Sequence, residues 1–441
     1  MIDEPVALPL DVSDLTIDAE ARVRRTILPN GMRVLTENIP GMRSASIGFW
    51  VQVGSRDEDP VRFGSTHFLE HLLFKGTPTR SALDIASAFD AIGADNNALT
   101  GKEQTCYYAR VRDRDLTTAL RILVDMIVSS VLDAHEFELE RGVILEELAM
   151  ASDDPEDVVH ERFATLVYPH AALGRPIGGT AETISAVERD QVWEHYRRWY
   201  SPSRIVCTVA GAVDHDALVG ELSRLLELVG WTDSAPVVPR RSTERAPLPY
   251  RAASGVLAKH TEQENIVLGV PGIVRTDDRA YAMSVLHAVL GSGMSSRLFQ
   301  QVRERRGLAY SVYSFGDAYS DGGSFGVYVG CQPGKAAEAI RVIRGELSDI
   351  ASEGITEEEL VRGRGQVAGA SALRMEDSYA RMGRLGRSEI GAGEFLTMDA
   401  SLRKLEKVTC AQVQELAASL LAEPLSVSAV GPLSQEDLQL G

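Results

Sequence analysis

The sequence contains a degenerate internal repeat. Sliding the chain by 221 residues lays residues 357–363 over residues 136–142, and five of the seven positions are identical. The chain of 441 residues is also long for a single hydrophobic core. The repeat therefore predicts two related domains of similar size, each with its own core.

The segment between the two copies has the composition of a linker. It contains Pro236, Pro239, Pro247 and Pro249 after the polar run that follows Trp231. We therefore predict a first domain at residues 20–230, a linker at 231–250 and a second domain at 251–441. In the first domain, Asn30-Gly31 predicts a hairpin, and alternating strand and helix patterns follow it.

Residues 65–71 carry a metal-binding pattern on a predicted helix. His67 and His71 are four residues apart and Glu70 is three from His67, so all three side chains project from one helix face. Two neutral imidazoles one turn apart can bind a single zinc ion, which needs a third protein ligand and one open position for water. Glu70 then acts as the general base. The alternative is a helix with two inert, hydrogen-bonded histidines.

Candidate third ligands lie on a second predicted helix downstream. Glu140 and Glu147 are seven residues apart, which is two helical turns, so they share a face. Asp133 and Glu136 are spaced as a capping box at the start of this helix. Taken alone, either glutamate is equally well explained as a solvated surface charge.

With these motifs the chain resembles the inverted-zincin (HxxEH) metallopeptidases that include pitrilysin, insulin-degrading enzyme and mitochondrial processing peptidase, especially the short, bacterial members that resemble the processing peptidase. The resemblance runs from about residue 24 to residue 432. In that family a glutamate 76 residues beyond the second histidine is the third ligand, and Glu147 stands at that position. The resemblance thus implies that His67, His71 and Glu147 bind one zinc ion per chain. It also implies that Glu140 contacts one of these ligands, rather than the ion, and orients it.

Two further segments resemble family elements that contact substrate. Asn97-Ala98-Leu99-Thr100 is similar to the NAxT segment, which implies that Asn97, Ala98 and Leu99 bind a peptide backbone along an exposed strand. Arg303 and Tyr310 match the ends of the family's R(x)6Y element. The resemblance implies that Arg303 binds substrate carbonyl or carboxylate groups and that Tyr310 donates to the developing oxyanion.

The second half of the repeat lacks every zinc-binding group. At the 221-residue offset, Ala288, Gly291, Ser292 and Ala368 stand where His67, Glu70, His71 and Glu147 stand in the first half. The resemblance implies an α+β fold of two homologous sandwich domains, each an antiparallel-rich sheet packed with helices, only one of which holds metal. In the family four such units form a clamshell chamber, so the resemblance implies a homodimer or a pairing with a related second subunit.

Composition restricts the remaining functions. The net charge of −18 argues against a nucleic-acid-binding protein. No apolar stretch reaches 18 residues and the N-terminal residues are acidic, so we expect no membrane span and no signal peptide. The four cysteines are widely spaced, which is typical of reduced thiols in a cytoplasmic protein.

The sequence therefore predicts a zinc metalloendopeptidase that hydrolyses short, flexible or unfolded polypeptides, or leader segments, inside a closed chamber. In the expected mechanism, zinc polarises the scissile carbonyl while Glu70 deprotonates the metal-bound water. The alternative is a non-catalytic scaffold or core subunit, or one subunit of a hetero-oligomeric processing peptidase. The four intact zinc-site groups favour the enzyme.

Overall fold

The computed structural model of the chain describes residues 4–18, 22–169, 171–242, 248, 250–434 and 438. They form two compact units, each composed of separate parts of the chain. Unit 1 comprises residues 1–148, 176–241 and 373–397, and unit 2 comprises residues 149–175, 242–372 and 398–441.

The described residues form fourteen β-strands. In chain order they are β1 (Val6–Ala7), β2 (Asp14–Asp18), β3 (Val23–Ile27), β4 (Arg33–Asn38), β5 (Ser44–Val51), β6 (Asp95–Thr100), β7 (Thr105–Arg112), β8 (Ile205–Gly211), β9 (Ser254–Ala258), β10 (Glu264–Pro271), β11 (Ala309–Ala318), β12 (Gly323–Cys331), β13 (Glu394–Phe395) and β14 (Ser426–Gly431).

Fourteen α-helices lie between the strands in the same described part of the chain. They are α1 (Ser65–Leu72), α2 (Ala82–Ala91), α3 (Leu116–Ser129), α4 (Ala134–Asp153), α5 (Pro155–Val167), α6 (Ala181–Ala186), α7 (Arg189–Trp199), α8 (His215–Leu228), α9 (Ala280–Leu290), α10 (Ala336–Glu353), α11 (Glu357–Arg374), α12 (Ser378–Arg387), α13 (Met398–Glu406) and α14 (Cys410–Leu420). Two π-helical turns occupy Phe299–Glu304 and Ser388–Ala392.

Unit 1 is a sheet covered on both faces. Its seven strands run in the order β2-β3-β4-β8-β5-β7-β6. Successive side chains of a strand point to opposite faces. In β5, Ile47 and Phe49 accordingly join the main core with helices α1, α3 and α8, whereas Trp50 joins a second core against α12. The helix α1 is thereby fixed to one face of the sheet by its buried residues Phe68 and Leu72.

Unit 2 repeats the topology of unit 1. Its sheet runs β11-β12-β10-β14-β9, and its central strand β10 is antiparallel to both neighbours, as β5 is in unit 1. The one parallel pair, β14 with β9, corresponds to β8 with β4. The predicted α+β class with two related sandwich domains is therefore confirmed.

The compact units do not follow a single cut in the predicted linker. Helix α5 precedes the linker but packs in unit 2, where Phe163 joins the core of the sheet, and α12 follows the linker but packs in unit 1 through Met382. The repeat offset of 221 residues carries residues 155–167 onto 376–388, so α5 and α12 are equivalent helices that the two units exchange. Of the predicted segments, residues 20, 21 and 170 of the first domain, linker residues 243–247 and 249, and residues 435–437 and 439–441 lie outside the described part.

The cysteines form no disulfide, and three of them are buried. Cys106, Cys207 and Cys331 are at most 3% exposed, and Cys410 is half-buried. Burial raises the pKa of the Cys106 and Cys207 thiols above the ordinary value, so both stay protonated at neutral pH. Neither is suited to act as a nucleophile.

Candidate metal centre

Helix α1 is held at its N-terminus by a carboxylate from outside the helix. The N-cap position is Gly64, whose φ of 102° suits glycine, and the hydroxyl of the next residue, Ser65, donates to the Arg62 carbonyl. Buried Glu58 accepts from the Gly64 N–H at 2.7 Å and the Thr66 N–H at 2.5 Å. A negative group here also opposes the positive end of the helix dipole.

The side chains of His67, His71 and Glu147 converge on one point. The Glu147 Oε2 atom lies 3.7 Å from His67 Nε2 and 3.5 Å from His71 Nε2. The two imidazole rings are edge to face, with centroids 4.8 Å apart. In the described part of the chain, this is the only group of three or more His, Cys, Asp or Glu side chains close enough to share a metal ion.

The dimensions of this group fit a zinc ion. Zinc–nitrogen and zinc–oxygen bonds of about 2.0–2.2 Å in a tetrahedron place ligand atoms roughly 3.4 Å apart, which is close to the separations of Glu147 from the two histidines. Two imidazoles and one carboxylate are also a donor set that zinc favours at sites where a fourth position stays open. Burial, followed by the neighbouring His71, lowers the pKa of His67, which favours the neutral ring that binds a metal.

A buried carboxylate fixes the orientation of His71. The Glu140 Oε2 atom lies 3.0 Å from His71 Nδ1, and Lys75 Nζ lies 2.6 Å from the other oxygen of Glu140. A proton on Nδ1 of His71 then leaves the lone pair of Nε2 pointing at Glu147. Helix α4 supplies both Glu140 and Glu147, which lie on one face because they are two turns apart. Asp133 caps the N-terminus of this helix.

Glu70 lies beside this group without belonging to it. Burial raises the pKa of its carboxyl group above the ordinary value, while hydrogen bonds from Thr100 oppose that rise. The Thr100 hydroxyl donates to Glu70 Oε2, and the Thr100 backbone also hydrogen-bonds the carboxylate. The side chain is thus a restrained carboxylate next to a candidate metal position.

The segment of Asn97, Ala98 and Leu99 forms the edge of the unit 1 sheet. Strand β6 pairs only with β7 in the described sheet, so its other side has no strand partner, and there the Ala98 N–H donates to Asn97 Oδ1 at 2.8 Å. Leu99 is 59% exposed, although it is apolar and lies in a strand. An edge of this kind can accept an added peptide strand.

Arg303 and Tyr310 are neighbours in unit 2. The Arg303 guanidinium carbon lies 4.4 Å from the centre of the Tyr310 ring and 4.7 Å from that of Phe299, and Arg303 NH1 donates to the Tyr310 carbonyl at 3.1 Å. The Tyr310 side chain is 74% exposed. An exposed tyrosine at the start of β11 contradicts the core role that its aromatic character alone suggests, and it leaves the phenol available to a ligand.

The sequence-based prediction assigns no role to three residues at the site. Glu58 caps α1, Lys75 binds Glu140, and Thr100 restrains Glu70. Lys75 is four residues beyond His71 and carries a weak local signal of this contact. Glu58 and Thr100 meet α1 only through the tertiary fold, so no spacing in the sequence indicates them.

Two family models match the chain. The model described as "Insulinase (Peptidase family M16)" matches residues 33–181, which contain His67, His71 and Glu147. The model described as "Peptidase M16 inactive domain" matches residues 186–367, which contain the metal-free copy of the repeat.

Curated relatives and solved structures agree with these models. An uncharacterized zinc protease of Streptomyces coelicolor is 46% identical over 94% of this chain and 90% of its own length, and one of Bacillus subtilis is 37% identical over 93% and 98%. The crystal structure of a protease from Helicobacter pylori has a TM-score of 0.86 at 20% identity and covers 93% of this chain and 100% of its own. A peptidase M16 inactive domain from Pseudomonas fluorescens has a TM-score of 0.84 at 18% identity over 93% and 98%.

Proposed function

Because this chain belongs to peptidase family M16, we propose that it is a zinc-dependent endopeptidase that acts on short, flexible or unfolded polypeptides. The observation that carries the proposal is the convergence of His67, His71 and Glu147, with Glu70 beside them and Glu140 behind His71. The relatives named zinc proteases support the same chemistry, since they match almost the whole chain.

In this proposal, His67, His71 and Glu147 would hold one zinc ion per chain, because their Nε2, Nε2 and Oε2 atoms lie close together. Bound zinc supplies Lewis-acid chemistry, which lowers the pKa of water and draws charge from a carbonyl oxygen. Glu140 keeps the His71 ring in the tautomer that presents a lone pair to the ion, and Lys75 holds Glu140 in place.

Glu70 carries the proton transfers. Its carboxylate takes a proton from the attacking water and then gives it to the nitrogen of the leaving amine. A pKa raised by burial suits both steps, because the carboxylate must first accept the proton and then release it. Restraint of Oε2 by Thr100 reduces the reorientation needed for each transfer.

The substrate backbone pairs with strand β6 in this proposal. Asn97, Ala98 and Leu99 would form the edge to which an extended peptide adds, and β6 ends at Thr100, the residue that contacts Glu70. This mode requires an extended segment and therefore selects unfolded polypeptides or leader segments over folded proteins.

Arg303 and Tyr310 are proposed to complete the active site from the second domain. Arg303 would bind substrate carbonyl or carboxylate groups, and Tyr310 would donate its phenol proton to the oxyanion. The exposure of Tyr310 and the stacking of Arg303 on its ring support a pair that is available to a ligand and restrained in geometry.

The assembly and the location of the protein are also part of this proposal. We propose a homodimer, or a pairing with a related second subunit, that encloses substrate in a clamshell chamber, and a cytoplasmic location. No helix in the described residues has the length and apolar character needed to cross a membrane. The net charge of −18 supports the absence of a nucleic-acid partner.

Metal analysis together with peptide cleavage tests the proposed function. We expect the purified chain to contain one zinc ion and to cleave a quenched fluorescent peptide. Chelation should abolish cleavage and added zinc should restore it, because the bound ion would supply the Lewis-acid chemistry of the reaction. Zinc without cleavage of any unfolded peptide would contradict a self-sufficient peptidase, and absence of zinc would favour the scaffold function.

A further inference from the structure

Unit 1 contains a buried cluster of charged side chains on the sheet face opposite α1. Three guanidinium groups, those of Arg25, Arg33 and Arg240, surround the single carboxylate of Glu389. The Glu389, Arg25 and Arg33 side chains have no solvent exposure. Arg25 and Arg33 project from β3 and β4, and Glu389 belongs to the π-helical turn at Ser388–Ala392.

The charges in this cluster do not balance. Arginine stays protonated at neutral pH, and even Arg33, whose pKa burial lowers to about 10, remains charged. Glu389 supplies at most one negative charge to three positive groups. Asp11 also acts on Arg25, but it is exposed to solvent, where its charge is screened.

The hydrogen bonding in the cluster is also incomplete. The nitrogen–oxygen distance from Arg240 to the Glu389 carboxylate is 2.9 Å. The corresponding distances from Arg33 and Arg25 are 3.4 Å and 3.5 Å, which are longer than the usual charge-assisted distance of about 2.7–2.9 Å. Within the described residues, four guanidinium donors, Nε and NH2 of Arg33 and Nε and NH1 of Arg25, have no hydrogen-bond partner, and neither has the acceptor Oε2 of Glu389. These donors belong to side chains that are fully buried.

We propose that this cluster binds a small monovalent inorganic anion, such as chloride, between Arg25 and Arg33. Buried water can accept hydrogen bonds from the orphaned donors, but it cannot compensate positive charge in a medium of low dielectric constant. An anion does both. The remaining Arg25 donor, NH2, already binds the Pro9 and Val12 carbonyls at 2.6 and 2.8 Å, so the anion would also stabilise the packing of the N-terminal segment.

Thermal unfolding at constant ionic strength tests this site. We expect the melting temperature to rise when sodium gluconate is replaced by sodium chloride or bromide, by about 3 °C at one hundred times the dissociation constant for unfolding of the whole chain. Gluconate is too large for a site enclosed by packed side chains. Equal melting temperatures in gluconate and in both halides would overturn the proposal.

Variants and crystals make the test specific. Arg33→Gln removes one positive charge and should abolish the halide-dependent rise, whereas Arg121→Gln, at an exposed ion pair with Glu221, should keep it. Crystals grown in bromide should show an anomalous peak between Arg25 and Arg33 in the wild-type chain, a result that does not depend on how the variant folds. Water alone at that position would refute the site.

A second inference rests on a different contact and depends on the proposed function. Thr100 is buried at the end of β6, and both its hydroxyl and its backbone hydrogen-bond the Glu70 carboxylate. Its position is fixed by pairing with Thr105 and by the turn that follows, where the Gly101 N–H donates to the Gln104 carbonyl at 2.8 Å. We infer that Thr100 is a positioning residue that sets the orientation of Glu70 for proton transfer.

Paired variants test this role for Thr100. Thr100→Val keeps the shape and removes the hydroxyl, so kcat should fall about 10- to 100-fold while KM and zinc content stay unchanged. Thr100→Ser restores a hydroxyl and should recover most of the rate, which a purely structural role of the side-chain methyl group would not produce. A wild-type kcat in Thr100→Val overturns this inference alone, whereas a wild-type chain without zinc or cleavage overturns the proposed function.

Discussion

Glu70→Gln is expected to lower kcat by about 10²–10⁴-fold and to leave the zinc content at one ion per chain. Glutamine has the same size as glutamate and can still accept the hydrogen bond from Thr100. It cannot take a proton from water at neutral pH, so both proton transfers assigned to Glu70 are lost. The measurement is kcat on a quenched peptide, with zinc determined by elemental analysis of the same sample.

A shorter carboxylate provides the control for this variant. Glu70→Asp keeps a proton acceptor but moves it by about one methylene group, so its rate should lie between those of wild type and Glu70→Gln. Wild-type turnover in Glu70→Gln would mean that another group is the base. Loss of zinc in the same variant would mean that Glu70 is a ligand, contrary to the geometry described above.

The second large effect is expected for His71→Ala, which should lose both zinc and cleavage. The substitution removes one of three protein ligands and also leaves Glu140 without its imidazole partner. Three ligands define the site, and two of them cannot maintain the enclosed geometry that zinc requires. Zinc content after dialysis against metal-free buffer and kcat at saturating peptide measure the two losses.

An exposed histidine on α4 is the matched control for this substitution. His135 is outside the site, and its contact with Asp133 uses the backbone N–H, which alanine retains. His135→Ala should therefore bind zinc and cleave peptide as the wild type does. Full zinc occupancy in His71→Ala would remove His71 from the ligand set.

The sequence predicts the centre of the site well because its signal is local. His67, Glu70 and His71 lie on one helix, and helical geometry alone brings them together. Glu147 is different, since its assignment depends on the resemblance and its approach to the histidines depends on how α4 packs beside α1. The distances of 3.5 and 3.7 Å agree with that assignment.

Other parts of the site are fixed by tertiary packing, which a single sequence does not show. Glu58 reaches the start of α1 because the preceding loop folds back, and Thr100 reaches Glu70 because β6 ends at that point. The strand order is likewise beyond local pattern. Individual strands such as β4 and β5 are predictable from alternation. The insertion of β8 between them, parallel to β4 and antiparallel to β5, is not.

The predicted division of the chain at one linker misses the exchange of α5 and α12. The residues around Leu148 show no shift in composition, because α4 continues without interruption across the boundary between the units. The sequence pattern of an amphipathic helix also does not indicate which sheet the helix packs against. Only the packing of Phe163 in unit 2 and of Met382 in unit 1 reveals the exchange.

This exchange of helices bears on the origin of the chain and on the result of cleaving it with a protease. Reciprocal transfer of an equivalent element is the hallmark of a swapped dimer, so the chain has the connectivity expected from joining the two partners of such a dimer end to end. Each half of the gene product would lack one helix of its own fold. A proteolytic nick in residues 231–250 would therefore release neither unit, because the polypeptide still crosses between them at residues 148–149, 175–176, 372–373 and 397–398.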